Sequence, residues 1–112
     1  MAELRDVYDF LDQVRLRPGM WVRRSSLLHL SSLLHGYRVA MEVHGIEEDF
    51  PFWTPGGQAP FDAWLCERNG RASSVLWAVE IEREAEATGT PAIDLFFALL
   101  DQFRAQREQP AR

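Results

Sequence analysis

The amino-acid sequence predicts an all-α domain, a compact bundle of four or five helices with a short extended segment after a Pro-Gly turn. Apolar residues recur at helical spacing along most of the 112 residues. Residues that start or stop helices separate these stretches. The length suits one ordinary domain with its own core, so we expect a single helical domain over residues 1–112.

The first helix is predicted over residues 3–16, where Leu11 and Val14 lie on one apolar face. Proline cannot continue a helix, and glycine adopts positive φ without steric cost, so Pro18-Gly19 is typical of a turn. We expect residues 20–22 to run extended after it.

The second helix is predicted from Ser25 or Ser26, either of which can accept hydrogen bonds from the free N–H groups of the first turn. Its leucine-rich stripe continues to His44, and Gly45 is well placed as the stop. Gly36 lies inside the helix at a cost of roughly 1 kcal/mol relative to Ala. We therefore expect another element to pack closely against it.

Residues 46–59 lack helical periodicity and predict a long loop, and such loops are often functional. A short helix follows and ends at Asn69-Gly70. Ser73 or Ser74 is the predicted cap of the next helix. Residues 76–81 also admit a strand, although no partner strand with turn chemistry is nearby.

The last helix has the clearest start in the chain. Thr90 is the predicted cap and Pro91 occupies the first helical position, which suits proline because its missing N–H would be unpaired there. The apolar face continues to about Gln106, and the polar tail 107–112 is expected to fray.

Composition narrows the class of protein. Hydrophobic residues make up 46% and charged residues 26%, as in globular proteins. The single cysteine, Cys66, cannot form an intrachain disulfide, and the first residues lack the basic start and apolar run expected of a signal peptide. The longest apolar runs are far shorter than the roughly 20 residues of a membrane helix. We expect a cytoplasmic protein without a membrane helix.

Charge is distributed unevenly. All twelve basic residues are Arg, which indicates codon bias of a GC-rich bacterial genome. Residues 1–38 hold six Arg and four acidic residues, whereas residues 39–112 hold six Arg and thirteen acidic residues. The overall charge of −5 disfavours direct binding to nucleic acid, because phosphates would repel the acidic surface.

Two acidic segments are the predicted contact surface for another protein. Aromatic anchors surrounded by charge are typical of interfaces, and a dense negative surface can steer a basic partner such as a toxin or nuclease. The alternative is that the loop aromatics fold back over the core and the helix acids are only solvated. The predicted contact residues are Glu47, Glu48, Asp49, Phe52 and Trp53 in the loop, and Glu80, Glu82 and Glu84 in the fourth helix.

A second hypothesis is a small-ligand pocket lined by tryptophan and arginine side chains. The alternative here is that the tryptophans fill the core. The candidate pocket residues are Trp21, Arg23, Trp64, Arg68 and Trp77.

No catalytic, metal or cofactor site is predicted. His29, His35 and His44 lack the i, i+4 spacing that places two imidazoles on one metal ion. Cys66 has no base identifiable near it in the sequence, and a helical cysteine beside leucine is ordinarily a core residue.

The run from Val14 to Trp21, with its Arg-Pro-Gly-Met-aromatic sequence, resembles the start of the ATPase domain of gyrase B and its relatives. The resemblance covers about thirty residues, from Leu11 to Val43. In that family the following helix carries a Glu that activates water and an Asn that binds magnesium. Leu34 and Arg38 stand at those two positions, so the resemblance does not imply ATP hydrolysis.

Over most of its length the chain also resembles a set of short, mostly uncharacterised bacterial proteins. The matching segments are Arg17–Trp21, Leu33–Tyr37, His44-Gly45 and Phe96–Leu100. Small acidic proteins of this type are often immunity proteins or antitoxins, so the resemblance implies inhibition by binding.

The sequence thus favours a non-enzymatic protein-binding domain, an immunity or antitoxin-like inhibitor of a bacterial partner protein. A homodimer through exposed aromatic residues is a further possibility. The alternative function is a small-ligand or nucleotide-binding module that uses the Arg-Pro-Gly-Met-Trp turn.

Overall fold

The computed structural model describes residues 3–70 and 76–108, and within these ranges every regular element is helical. The all-α prediction is confirmed, with five helices of ten residues or more and one additional single turn. In chain order the helices are α1 (Val7–Leu16), α2 (Pro18–Trp21), α3 (Leu27–Val43), α4 (Pro60–Asn69), α5 (Trp77–Thr88) and α6 (Ala92–Glu108).

Local hydrogen bonds explain where several helices begin. Asp6 caps α1 by accepting from the backbone N–H of Asp9 at 2.9 Å. Ser26, one of the two predicted caps, accepts from the N–H of His29 at 3.4 Å. The segment 76–81 belongs to helix α5, whereas Ser73 and Ser74 lie outside the described residues.

The prediction of an extended segment after the Pro-Gly turn is wrong for most of its residues. Residues Pro18–Trp21 form the single helical turn α2, with Pro18 near its N-terminus, where its fixed φ is already helical. Only Val22 remains extended. The 3₁₀ turn Arg23–Ser25 then redirects the chain into α3, with positive φ at Arg24 (56°) and Ser25 (51°).

The core lies where α3, α5 and α6 pack together, with α4 against α5. Its centre is aromatic. Phe61, Trp77 and Phe96 are buried, and their ring centroids are 5.1–5.8 Å apart. Aromatic pairs at this spacing contribute about 0.5–1.5 kcal/mol beyond the burial of their area.

The expectation of close packing at Gly36 is wrong. A Cβ built on Gly36 would meet no atom within 4 Å, so no element of the described chain packs closely there. The helix α6 continues through Arg107, which forms an ion pair with Asp49 at 3.0 Å, and Glu108; the expected fraying of the tail 107–112 stays a prediction. Residues 109–112 lie outside the described ranges.

Asp62, in the first turn of α4, is half-buried. Burial raises the pKa of its carboxyl from 3.8 to about 6, opposed by a hydrogen bond from the backbone N–H of Trp77. The folded state therefore holds this proton more tightly than the unfolded chain. Its contribution to stability is complete below about pH 4 and is lost as the pH rises through about 6.

We expect Asp62→Asn to raise the free energy of unfolding at pH 7.5 by about 1 kcal/mol, because it removes a desolvated charge and keeps an acceptor. The gain should disappear at pH 4, where the native carboxyl is protonated. Urea unfolding at both pH values checks this. Asp12→Asn, on the exposed side of α1, is the matched control; an equal pH dependence in both variants would contradict the assignment.

Candidate functional site

The acidic aromatic loop, residues 47–53, is partly internal. Phe52 is only 3% exposed, and its ring lies 5.6–6.2 Å from those of Phe61, Trp77 and Phe96. Its carbonyl also accepts a hydrogen bond from the Trp77 indole N–H at 3.2 Å. The prediction of Phe52 as a partner contact is therefore wrong, because its ring completes the core.

Glu48 also faces inward. Its carboxylate accepts the backbone N–H of Val7 at 2.9 Å and the Tyr37 hydroxyl at 2.9 Å. It thereby joins the loop to the N-terminus of α1 and to α3, and satisfies one of the free amides of α1. The pKa of the Tyr37 phenol is raised, mainly by burial and next by this hydrogen bond to Glu48. Glu48 therefore has a structural role within the fold in place of its predicted role as a partner contact.

The remaining loop residues stay accessible. Glu47 and Asp49 are exposed, and Asp49 pairs with Arg107 at its edge. Trp53 is half-buried, with its ring 4.5 Å from that of His35. These three are the part of the predicted loop surface that another molecule can reach without disturbing the core.

The glutamates of the acidic helix α5 lie in three different environments. Glu80 is only 7% exposed and lies 3.9 Å from Arg83, so its predicted role as a partner contact is wrong. Glu84 accepts a hydrogen bond from Arg68 at 3.1 Å. Glu82 and the neighbouring Glu86 are directed away from the core, because helical spacing places them opposite Trp77 and Ile81.

The groove between α3 and α5 brings acidic and apolar side chains together. It encloses about 330 Å³. Leu28 of α3 and Val79 of α5 supply apolar walls, and Glu82 and Glu86 supply two carboxylates. Arg83, Ala85, Thr90 and Ala92 complete the lining. Leu28 was not among the predicted contact residues, because the prediction placed both contact segments after α3.

The five residues of the predicted ligand pocket do not form one site. Trp77 is buried among Phe52, Phe61 and Phe96, which is the core alternative for this tryptophan. Trp21 instead packs edge-on against Phe10 at 5.5 Å. Arg23 is exposed, and its carbonyl lies 3.2 Å from a ring nitrogen of His29.

Within residues 3–70 and 76–108, Trp64 and Arg68 of that set share a cavity of about 240 Å³ beside α6. The Trp64 indole N–H donates to Gln106 at 2.8 Å. Arg68 is engaged by Glu84, so both polar groups already have partners within the fold.

A larger cavity of about 380 Å³ lies where α1 meets the end of α6. Arg104 stacks over the Tyr8 ring at 4.3 Å, and Arg107 donates to both the Tyr8 hydroxyl and Asp49. Nearby charges are balanced, since Asp49 and Glu108 also line this cavity. Its arginines serve to join the two ends of the fold.

Among residues 3–70 and 76–108, no three His, Cys, Asp or Glu side chains are close enough together to hold a metal ion. None of the described helices has the length and apolar character required to cross a bilayer. Comparisons of the chain with protein-family models, with curated proteins and with solved structures find no match. The resemblance to the gyrase B ATPase segment and the resemblance to short bacterial proteins over most of the chain therefore stay predictions.

We expect Phe52→Ala to lower the free energy of unfolding by about 3–5 kcal/mol, as for other aromatic-to-alanine changes in a core. Trp53→Ala is the matched control from the same loop and should cost much less, because Trp53 is only half-buried. Denaturant unfolding of both variants checks this. Equal losses would contradict the central position of Phe52.

We expect Glu48→Gln to destabilise the domain by about 1.5–3 kcal/mol, because it replaces hydrogen bonds to a charged acceptor by neutral ones. Glu47→Gln, its exposed neighbour, should stay within about 0.5 kcal/mol of the wild type. A double-mutant cycle with Tyr37→Phe measures the coupling directly. Additive effects of Glu48→Gln and Tyr37→Phe would refute the link between the loop and α3.

Proposed function

We propose that this chain is a non-enzymatic protein-binding domain, an immunity or antitoxin-like inhibitor of a basic bacterial partner protein. The observation that carries the proposal is the groove between α3 and α5, where two carboxylates stand beside apolar walls. We assign the inhibitor to the bacterial cytoplasm, in keeping with its arginine-only basic residues and single cysteine.

The chemistry of the groove fits a Lys or Arg side chain of the partner. The aliphatic stem of such a side chain packs on apolar surface while its charged head reaches polar groups. Leu28 and Val79 offer that surface, and Glu82 and Glu86 offer acceptors for charge-assisted hydrogen bonds. Arg83 also lines the groove, but its charge is countered by Glu80 at 3.9 Å.

Long-range charge supports the same class of partner. The net charge of −5 attracts a basic protein and accelerates encounter, at a rate that falls as salt increases. The accessible loop residues Glu47, Asp49 and Trp53 remain a second proposed contact. The ligand-binding alternative has less support, because Trp77 is buried and Trp21 packs on Phe10.

The test is a pull-down from lysate of the source organism, with three tagged forms at low and high salt. Glu82→Lys/Glu86→Lys should weaken capture of a basic partner at least about tenfold, the equivalent of roughly 1.4 kcal/mol. Glu3→Lys/Glu67→Lys makes the same charge change at exposed positions outside the groove and should lose less. The captured protein is then expressed with each form to measure whether its toxicity or activity is suppressed.

Equal binding by the groove variant and the control would exclude the α3–α5 groove as the contact. A captured protein whose activity is unchanged by the wild type would exclude inhibition. If none of the three tagged forms captures a basic partner, that result would contradict the whole proposal.

A further inference from the structure

The outward face of α3 carries no Arg, Asp or Glu side chain. Side chains on this face fall within an arc of about 120°, given 3.6 residues per helical turn. Leu33, Val39 and Val43 are 41%, 42% and 75% exposed. The face consists of His29, Ser32, Leu33, Gly36, Val39, Ala40 and Val43. On an acidic domain, a strip along a 17-residue helix that carries exposed aliphatic residues and no Arg, Asp or Glu is typical of an interaction surface.

Gly36 lies near the middle of this strip and has no role within the described chain. It costs the helix roughly 1 kcal/mol relative to Ala. A Cβ at this position would meet nothing within 4 Å. Ser32 and Ala40, one turn to either side, are also small. A second helix can therefore approach closely at this point, since the side chains at the contact set the distance between packed helices.

We propose that a second copy of this chain packs on this face, with the two α3 helices antiparallel and related by a two-fold axis near Gly36. Gly36 is one residue from the midpoint of Leu27–Val43, so such an axis superposes the strip on itself. Leu33 of each copy then meets Val39 of the other. Antiparallel packing also brings opposite ends of the helix dipoles together.

Charges at the two ends of α3 favour a second copy. Arg23 and Arg24 precede its N-terminus, are exposed and form no side-chain ion pair with another described residue. Glu47, just beyond its C-terminal turn, and Glu42, which pairs with Arg38 at 3.4 Å within α3, are also exposed. An antiparallel pair places the arginines of one copy at the glutamates of the other, at both ends of the interface. The strip is thus complementary to itself in charge as well as in shape.

The expected dimer is modest in strength. The helix is about 25 Å long and about 10 Å wide, so the two strips cover on the order of 500 Å² together, which is below the size of a standard specific interface and suits a weak dimer. We expect dissociation constants in the micromolar range at physiological salt, and weaker association at high salt. The groove carboxylates Glu82 and Glu86 belong to α5, so the dimer does not depend on the proposed basic partner.

The first experiment measures mass by sedimentation equilibrium from about 5 to 200 µM, a range that brackets a micromolar dissociation constant. The wild type should pass from 12.9 kDa toward twice that mass. Gly36→Glu should weaken dimerisation at least about tenfold, because it places two carboxylates face to face at the axis. Its thermal stability as a monomer should not fall, since Glu favours helix over Gly.

Ala98→Glu, exposed on α6, adds the same charge elsewhere and should leave dimerisation unchanged apart from general repulsion. A wild type that stays monomeric at 200 µM would overturn the proposal. A Gly36→Glu variant that dimerises as the wild type does would assign the dimer to another surface and equally overturn it.

The second experiment tests the orientation by disulfide trapping in a Cys66→Ser background. Gly36→Cys should cross-link under mild oxidation, because this position faces its own copy. Ser32→Cys alone should not, since antiparallel helices separate the two positions by about 12 Å, beyond the reach of a disulfide. A mixture of Ser32→Cys and Ala40→Cys chains should give a heterodimer. Efficient cross-linking of Ser32→Cys with itself would refute the antiparallel arrangement.

Discussion

The ring of Phe52 belongs to no helix, yet it touches aromatic side chains from three of them. Phe61 of α4, Trp77 of α5 and Phe96 of α6 all lie within 6.2 Å of it, measured between ring centroids. Interiors pack at nearly crystalline density, so removing one ring from such a cluster leaves a cavity that the others cannot fill. The relative positions of three helices therefore depend on a residue supplied by the loop before them.

The loop is held in place by polar contacts as well as by this ring. Glu48 joins it to α1 and α3, and the backbone N–H of Phe61 donates to the carbonyl of Pro51 at 2.9 Å. A partly buried carboxylate is tolerated where its oxygens accept hydrogen bonds, as those of Glu48 do from Val7 and Tyr37. Loop 46–59 is consequently an organising element of the fold, and only part of it is available for recognition.

Periodicity predicted the helices well, because burial of one face acts over many residues and averages out local exceptions. It was less informative for the loop, where composition alone does not decide which side chains turn inward. One sequence feature could have helped: Glu48, Phe50 and Phe52 alternate with Glu47 and Asp49, as expected for an extended segment with one buried side. The predicted contact surface includes residues from both sides of this segment, although the alternation separates the inward side chains from the outward ones.

The turn after α1 shows a second limit of local reasoning. Pro18-Gly19 fits a β-turn, but proline also suits the first turn of a helix, and tertiary packing decides between the two. The five predicted pocket residues do not form one site for a related reason. The sequence does not show which neighbours bury tryptophans that lie far apart in the chain. Trp64 and Arg68 come together only because they lie one helical turn apart in α4.

The contact between Tyr8 and Arg107 joins the beginning of α1 to the end of α6, across 99 residues of chain. Both ends of the described chain therefore approach the same side of the molecule. A short linker between them would close the backbone into a ring with little distortion, and new ends could be opened in the exposed stretch Pro55–Gln58. The order of the helices along the chain is thus separable from their arrangement in space, and a circularly permuted chain should reach the same fold.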